Sequence, residues 1–371
     1  MGALTLIHGP AHPGKWTPTY ERCLERLNEG RSESFLWLFP SSFQAQLMHR
    51  RLLSDGNLTL YTGQLSLDFD HFLASIYRLC AATRPRLPTS AHRLLVEDAL
   101  AANTDATPYY SRRPDGLGRG LTRLFRILEE SGILPDDLEG GNHRRAELRI
   151  LYATYLERLR GTWIGNAEAS STADENIDHK KIEQLFPGLD LLIICGFSTL
   201  AAPYLSVLKK TIDIVPESIA LIDYDQNHPQ IFSPATPFYD FLNSHATHSE
   251  SHPFSPVQYP AADLAPRLFT ENRIQVTAPV EQIACPDRPG EVKEIARRIR
   301  QMHQSQGVDL AQVRIGFRHL DRYAPLITEV LPRYGLPFYL SRGWPLASAP
   351  VVNAVLAIID LVLEGYSRPA L

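Results

Sequence analysis

Residues 4–20 read LTLIHGPAHPGKWTPTY, and within them Gly9, Gly14 and Lys15 fall in the spacing G-x-x-x-x-G-K. An apolar run precedes the pattern and an amphipathic stretch, YERCLERLN, follows it. In that setting the residues point to phosphate chemistry. Glycines let backbone N–H groups face inward, a helix N-terminus favours anionic oxygens, and the lysine pairs with outer phosphates. The competing reading is a Pro/Gly turn with an exposed lysine. Two departures count against hydrolysis. The position after the lysine ordinarily carries a hydroxyl that ligates Mg²⁺, and here it is Trp16. The metal-organising acids are expected after a later buried strand; LLIICGF supplies that strand, with Cys195 and Gly196 at the acidic positions. His12 and Pro13 also stiffen the loop and remove an amide donor. A site lacking both oxygen sources is expected to turn ATP over poorly or not at all, while retention of ATP and Mg²⁺ stays open. Cys195 as a nucleophile is the sharper alternative, but a thiol ending an apolar strand with no neighbouring His or Asp reads as buried and inert.

The elements needed to position these residues follow from the hydrophobic pattern. Strands are predicted at 4–8 (LTLIH), 35–40 (FLWLFP) and 58–67 (LTLYTGQLSL), the last followed by the helical FDHFLASIYRLC. From about 88 to 185 strand-like runs are absent, and SAHRLLVEDALAA, LTRLFRILEESG and RAELRILYATYLERLR read as helices. Residues 165–180 are polar and predict a loop. Strands return at 189–196 and 218–224 around a helix near 203–213, and a Pro/Ser/His-rich stretch at about 226–266 reads as a surface excursion or linker. Beyond it, a strand at 272–279 leads to a helix with Pro289 in its first turn, Val292, Ile295, Ala296, Ile299 and Met302 on one face, and Gly307 as its stop. Strands at 313–318 and 337–341 alternate with helices at 321–334 and 349–364. Short apolar strands separated by helices imply α/β architecture with parallel sheets.

Composition narrows the function classes. The 371 residues are 44% hydrophobic with net charge −4, so two or three domains are expected and no global basic field exists. Cys23, Cys80, Cys195 and Cys285 are scattered, which reads as reduced thiols of a cytoplasmic protein. No apolar run reaches membrane-spanning length, and no export leader is evident. His245, His248 and His252 are read as a histidine-rich loop in preference to a metal site, and Pro253, Pro256 and Pro260 as an extended linker.

The order of these passages resembles the superfamily 1 UvrD/RecB-type helicases, and most closely their degenerate partner chain, the B-type subunit of the ATP-dependent helicase/deoxyribonucleases (AddB/RexB-like). LTLIHGPAHPGKW sits at the phosphate loop, FLWLFPSSFQAQLMHRRLL at the second strand and helix, LTLYTGQLSLDFDHFLASIYRLC at the third, and LDLLIICGFSTLAAPYLSVLKKT at the strand that has already lost Asp-Glu. The passage from RPGEVKEIARRIR to VVNAVLAIIDLV, with Arg318, YGLPF and GWPL, resembles the start of a second RecA-like domain. The resemblance implies two P-loop NTPase (RecA-like) units. The first RecA-like domain would occupy 1–87 and 186–270, interrupted by a helical insertion at 88–185, and the second would start at 271–371. It places Asp223 and Gln226 of IDYDQ near a γ-phosphate, and Arg318 where helicases keep an arginine that reaches across the domain cleft; plain readings are a solvated strand-end carboxylate and a surface arginine. It further implies DNA ends and single strands as partners, an A-type helicase–nuclease subunit supplying ATP hydrolysis, and nuclease carboxylates with iron–sulfur cysteines nearer the family's C-terminus than Leu371. The chain would then be an N-terminal part. The alternatives are an active superfamily 1 helicase/ATPase using Lys15 with Asp223, and a small-molecule P-loop kinase, against which the unit bearing Arg318 argues.

Positive charge gathers in the helical region at Arg112, Arg113, Arg119, Arg123, Arg126, Arg144, Arg145 and Arg149. Arginines neutralise phosphates without regard to sequence, and Tyr109 or Tyr110 could stack on bases. The plain alternative is a solvated helix face.

Overall fold

The run Phe35–Phe39 is buried at every position, which a strand tolerates only inside a sheet covered on both faces. This computed structural model describes residues 2–11, 13–56, 61–81, 84–111, 114–252, 281–341, 346 and 349–363, in two compact units, Met1–Ala278 and Pro279–Leu371. In chain order the first unit holds β1 (Ala3–Gly9), α1 (Thr17–Asn28), β2 (Phe35–Phe39), α2 (Ser42–Asp55), β3 (Ser66–Asp68) and α3 (Phe69–Ala81). Then come α4 (Thr89–Ala102), α5 (Pro108–Ser111), α6 (Pro114–Glu130), α7 (His143–Thr162), α8 (Asn166–Asn176) and α9 (His179–Leu185), and finally β4 (Leu191–Cys195), α10 (Ala202–Ile214), β5 (Glu217–Asp223), α11 (Thr236–His245) and β6 (His248–Ser251).

The six strands form one sheet in the order β3-β2-β4-β5-β1-β6, and every pairing is parallel. Alternate residues feed two cores. Leu36 and Leu38 of β2 join Leu192, Ile194 and Ile222 beneath α3, α10 and α11, whereas Phe35, Trp37 and Phe39 join Leu191, Ile193 and Leu221 beneath α1 and α2. The result is a three-layer α/β/α unit of RecA-like type. Since all strands run the same way, the carboxyl ends of β1, β4 and β5 share one edge, where ligands of open α/β sheets sit.

A separate core joins α4, α6 and α7 through Val96, Leu100, Phe125, Tyr152 and Tyr155. Buried within it, His92 shares a 2.7 Å hydrogen bond with the Tyr155 hydroxyl, and burial, reinforced by Arg126 and Arg86, lowers its pKa to about 4. The folded value lies below the unfolded one near 6.5, so stability is intact above that pH and drains away as pH falls towards 4. The expected loss approaches about 3 kcal/mol. Urea denaturation between pH 7 and pH 4.5 measures it, and His92→Gln should flatten the dependence.

Four expectations are corrected. Residues 165–180 are not a loop: α8 and α9 occupy most of them, because the small residues Ala169, Ser170 and Ala173 form a buried face against α3 and α10 that a search for large apolar residues misses. The stretch from 226 to 266 is not wholly a linker, since α11 buries Phe238, Tyr239 and Leu242 and β6 pairs with β1. The third strand is only Ser66–Asp68, held by β2; residues 57–60 of the expected run lie outside the described residues. In the second unit, 313–318 and 337–341 form no strands. No ladder pairs these runs with each other or with any other described strand, and a strand exists only where a ladder partner does. The run expected at 272–279 lies outside the described residues, as do Pro253, Pro256 and Pro260. That unit contains α12 (Arg288–Gln306), α13 (Leu320–Arg333) and α14 (Pro350–Leu363). Its core joins Val292, Ala296 and Ile299 to Ile327, Val330 and Leu331. Asp287 caps α12 by accepting from the Gly290 N–H at 2.7 Å, and Gly307 closes it at φ +67°. No described helix is long and apolar enough to cross a membrane.

Candidate functional site

β1 pairs with β5 in a register that sets Gly9 beside Asp223. A short 3-10 turn, Pro13–Lys15, then carries Lys15 back over these strand ends; His12 just before it lies outside the described residues. The Lys15 ammonium donates to the Gly9 carbonyl at 3.0 Å, to the Ile222 carbonyl at 2.8 Å, and to the Asp223 carboxylate. The lysine side chain is 4% exposed and that of Asp223 is 55% exposed. All three ammonium protons therefore have acceptors inside the protein. Sequence reasoning brings Gly9, Lys15 and Asp223 to one site; it misses that they satisfy one another.

Trp16 leaves the phosphate side of the loop altogether. Its ring packs on the core beneath α1 and α2, meets Tyr20 edge-on at 5.4 Å, and lies 4.6 Å below the Arg51 guanidinium. Buried Tyr20 donates to Asp55 at 2.6 Å, which ties α1 to α2 beside this stack. The indole thus acts as an apolar brace where an oxygen would be needed for a metal.

The β4 end offers no replacement. Burial raises the Cys195 thiol to about 12, with nearby Asp223 acting the same way, so its thiolate is not available for attack. Gly196 follows at φ +79°, and a Cβ there would stand 3.1 Å from the Gln44 amide nitrogen. The glycine answers a left-handed backbone, and a carboxylate residue at that position would be strained. Mg²⁺ wants several hard oxygen ligands. Trp16, Cys195 and Gly196 provide none from their side chains, and Asp223 is ion-paired, so the donor set does not fit magnesium.

Gln226 turns aside from the crevice: its amide donates to the Tyr239 hydroxyl at 2.5 Å, and Tyr239 stacks on Tyr224 at 4.1 Å. Asp225 is occupied by His228 at 2.8 Å and by the Asn227 N–H at 2.9 Å. His8, just before the loop, is buried against Tyr239, and its pKa is lowered chiefly by that burial. Gly14 lies within the turn, half-buried. Arg318 is exposed in the turn preceding α13 of the second unit. Among the histidines flagged by sequence, His248 and His252 both engage Glu250, at 3.0 and 3.3 Å, and no metal-binding group of three occurs among the described residues.

Of the helical-region arginines, Arg112 and Arg113 lie outside the described residues. Arg144 sits 4.2 Å over the Tyr109 ring, Arg145 donates to the Asp137 carbonyl at 3.2 Å, and Arg149 pairs with Glu139 at 2.8 Å. Arg119 and Arg123 project to solvent from α6 and line an open groove with Arg93 and Arg126. Arg93 carried no signal in the sequence, because it reaches this groove from a different helix.

The B-type subunit of the ATP-dependent helicase/deoxyribonuclease of Exiguobacterium sibiricum is 20% identical over 394 residues, covering 96% of this chain and 33% of its own. Its namesake from Acetivibrio thermocellus is 22% identical over 405 residues, covering 99% and 35%, and that of Staphylococcus saprophyticus is 21% identical over 400 residues, covering 96% and 33%. Along almost its whole length this chain is related to these B-type subunits. They are about three times as long as the stretch it spans. The chain matches no protein-family model.

Proposed function

We propose that this chain forms the non-hydrolysing, helicase-like part of a B-type subunit in an ATP-dependent helicase/deoxyribonuclease. The complex would process double-strand DNA ends for recombinational repair, with an A-type partner supplying ATP hydrolysis and unwinding. In this reading Gly9, Gly14, Lys15, Asp223 and Gln226 are the remnant of a nucleotide-binding loop in the first unit, Arg318 is an arginine of the same ancestry in the second, and the chain contributes DNA contact and scaffolding for its partner. One observation carries the proposal: Lys15, the residue that should greet phosphate, is spent on Gly9, Ile222 and Asp223. The kinship to B-type helicase/deoxyribonuclease subunits and the oxygen-free residues at 16, 195 and 196 support it. Phosphoryl transfer depends on positioning and on charge neutralisation by the metal, and this donor set supports neither.

A second reading is favoured by the same ion pair. Asp223 stands beside Lys15, so an unusual motor could use that carboxylate with the lysine. ATP turnover by the full chain, with and without single-stranded DNA, separates the two. Background turnover, unchanged in Lys15→Ala, is the expected result; stimulated turnover abolished by that substitution would establish the motor.

A further inference from the structure

The groove between α4 and α6 combines features found nowhere else among the described arginines of the helical region. On α6, Arg119, Arg123 and Arg126 recur at i, i+4 and i+7, which places them on one face in steps of about 6 and about 4.5 Å along the axis. Arg93 comes from the neighbouring helix α4, and Thr122 and Ile127 also line the groove. Acidic residues only partly offset this charge: Glu97 pairs with Arg93 at 2.6 Å and Glu130 with Arg126 at 3.6 Å. Arg119 and Arg123 are exposed, and the Nε of Arg126 is buried with no hydrogen-bond partner. Ile127 leaves an apolar side chain 48% exposed at the same place. In a chain of net charge −4, this is a local cationic track beside an apolar patch.

We propose that this groove binds the phosphate backbone of single-stranded DNA, with Arg119 and Arg123 each neutralising one phosphate, Arg93 closing the track from α4, and Ile127 resting against a base or sugar. The assignment rests on the DNA-binding role proposed above and gives that role a site. A single strand offers unstacked bases together with its phosphates and so matches exposed Ile127 beside the arginines, whereas a duplex keeps its bases stacked inside. Recognition is independent of sequence, because guanidinium–phosphate contacts carry no base information. Arg144, Arg145 and Arg149 are left out, since they do not line this groove.

The test is fluorescence anisotropy of a labelled oligothymidine with the full chain across a salt series, for the parent, Arg119→Ala/Arg123→Ala and Arg149→Ala. Circular dichroism checks that these surface variants keep the fold. The expected result is salt-sensitive binding by the parent, weakened at least about tenfold in the double variant. The slope of log affinity against log salt should fall by about 1.4, from two lost phosphate contacts at about 0.7 each. Arg149→Ala should match the parent. Parent-like binding by the double variant would overturn the groove and leave the DNA-binding role standing. No binding by the parent would overturn both. A blunt duplex of equal length that binds as tightly and loses as much in the double variant would overturn the single-strand assignment.

Discussion

Gly9→Ala is expected to destabilise the α/β unit by at least about 3 kcal/mol, read from the urea midpoint of the full chain. A methyl group at Gly9 would stand 2.1 Å from the His252 carbonyl oxygen, and the residue adopts φ +150°. Neither can be relieved locally. The His252 N–H donates to the His8 carbonyl at 2.8 Å, and β6 immediately before it is paired to β1 from Thr5 to His8. Making room therefore means unzipping the end of the edge strand. A glycine kept only so that phosphate can approach would behave differently: its alanine variant would remain as stable as the parent and lose only ligand affinity. A midpoint within about 0.5 kcal/mol of the parent would show that the glycine serves the loop and not the sheet.

That contrast shows what the sequence holds and what it hides. The apolar runs at β1, β2, β4 and β5 are short, rich in Leu, Ile and Phe, and stopped by Gly, Pro or Asp, so their identity as buried strands is legible one run at a time. The parallel arrangement follows from the helices between them. Legibility fails where the information is long-range. β3 is three residues long because β2 pairs with only those three, and nothing in LTLYTGQLSL marks the limit. α8 hides because its buried face is built from alanine and serine. β6 hides because its residues, HSES, are polar and hold their place through backbone pairing at a sheet edge.

The site divides in the same way. Spacing alone identifies Gly9, Gly14 and Lys15, and chemistry alone marks Trp16, Cys195 and Gly196 as poor company for magnesium. The fate of Lys15 is different in kind. Its acceptors lie 6, 207 and 208 residues away and meet it only because β1 and β5 are neighbours in the sheet. Gln226 shows the same limit: its motif position suggests a nucleotide contact, and only the packing of α11 brings Tyr239 to its amide. The groove arginine Arg93 is likewise found by helix packing and by no local pattern.

Lys15→Met is expected to lower stability by about 2–4 kcal/mol without any compensating change in nucleotide response. Methionine keeps the length and the apolar stem of the side chain, so the substitution isolates the ammonium. Its three acceptors then fare unequally. Gly9 keeps the Tyr224 N–H at 3.0 Å, and half-exposed Asp223 can turn to water. The Ile222 carbonyl loses a charged donor at a residue that is 1% exposed. Most of the loss should therefore come from that carbonyl and from the missing clamp between the loop and β5. Millimolar ATP with Mg²⁺ is the second arm of the experiment. A ligand that binds the folded state raises its midpoint by mass action, and a lysine reserved for phosphate would make the parent respond and the variant not. With the ammonium consumed inside the fold, neither midpoint should move. An ATP-dependent rise in the parent, paired with a variant of parental stability, would return Lys15 to nucleotide binding and remove the main support for a silent cleft.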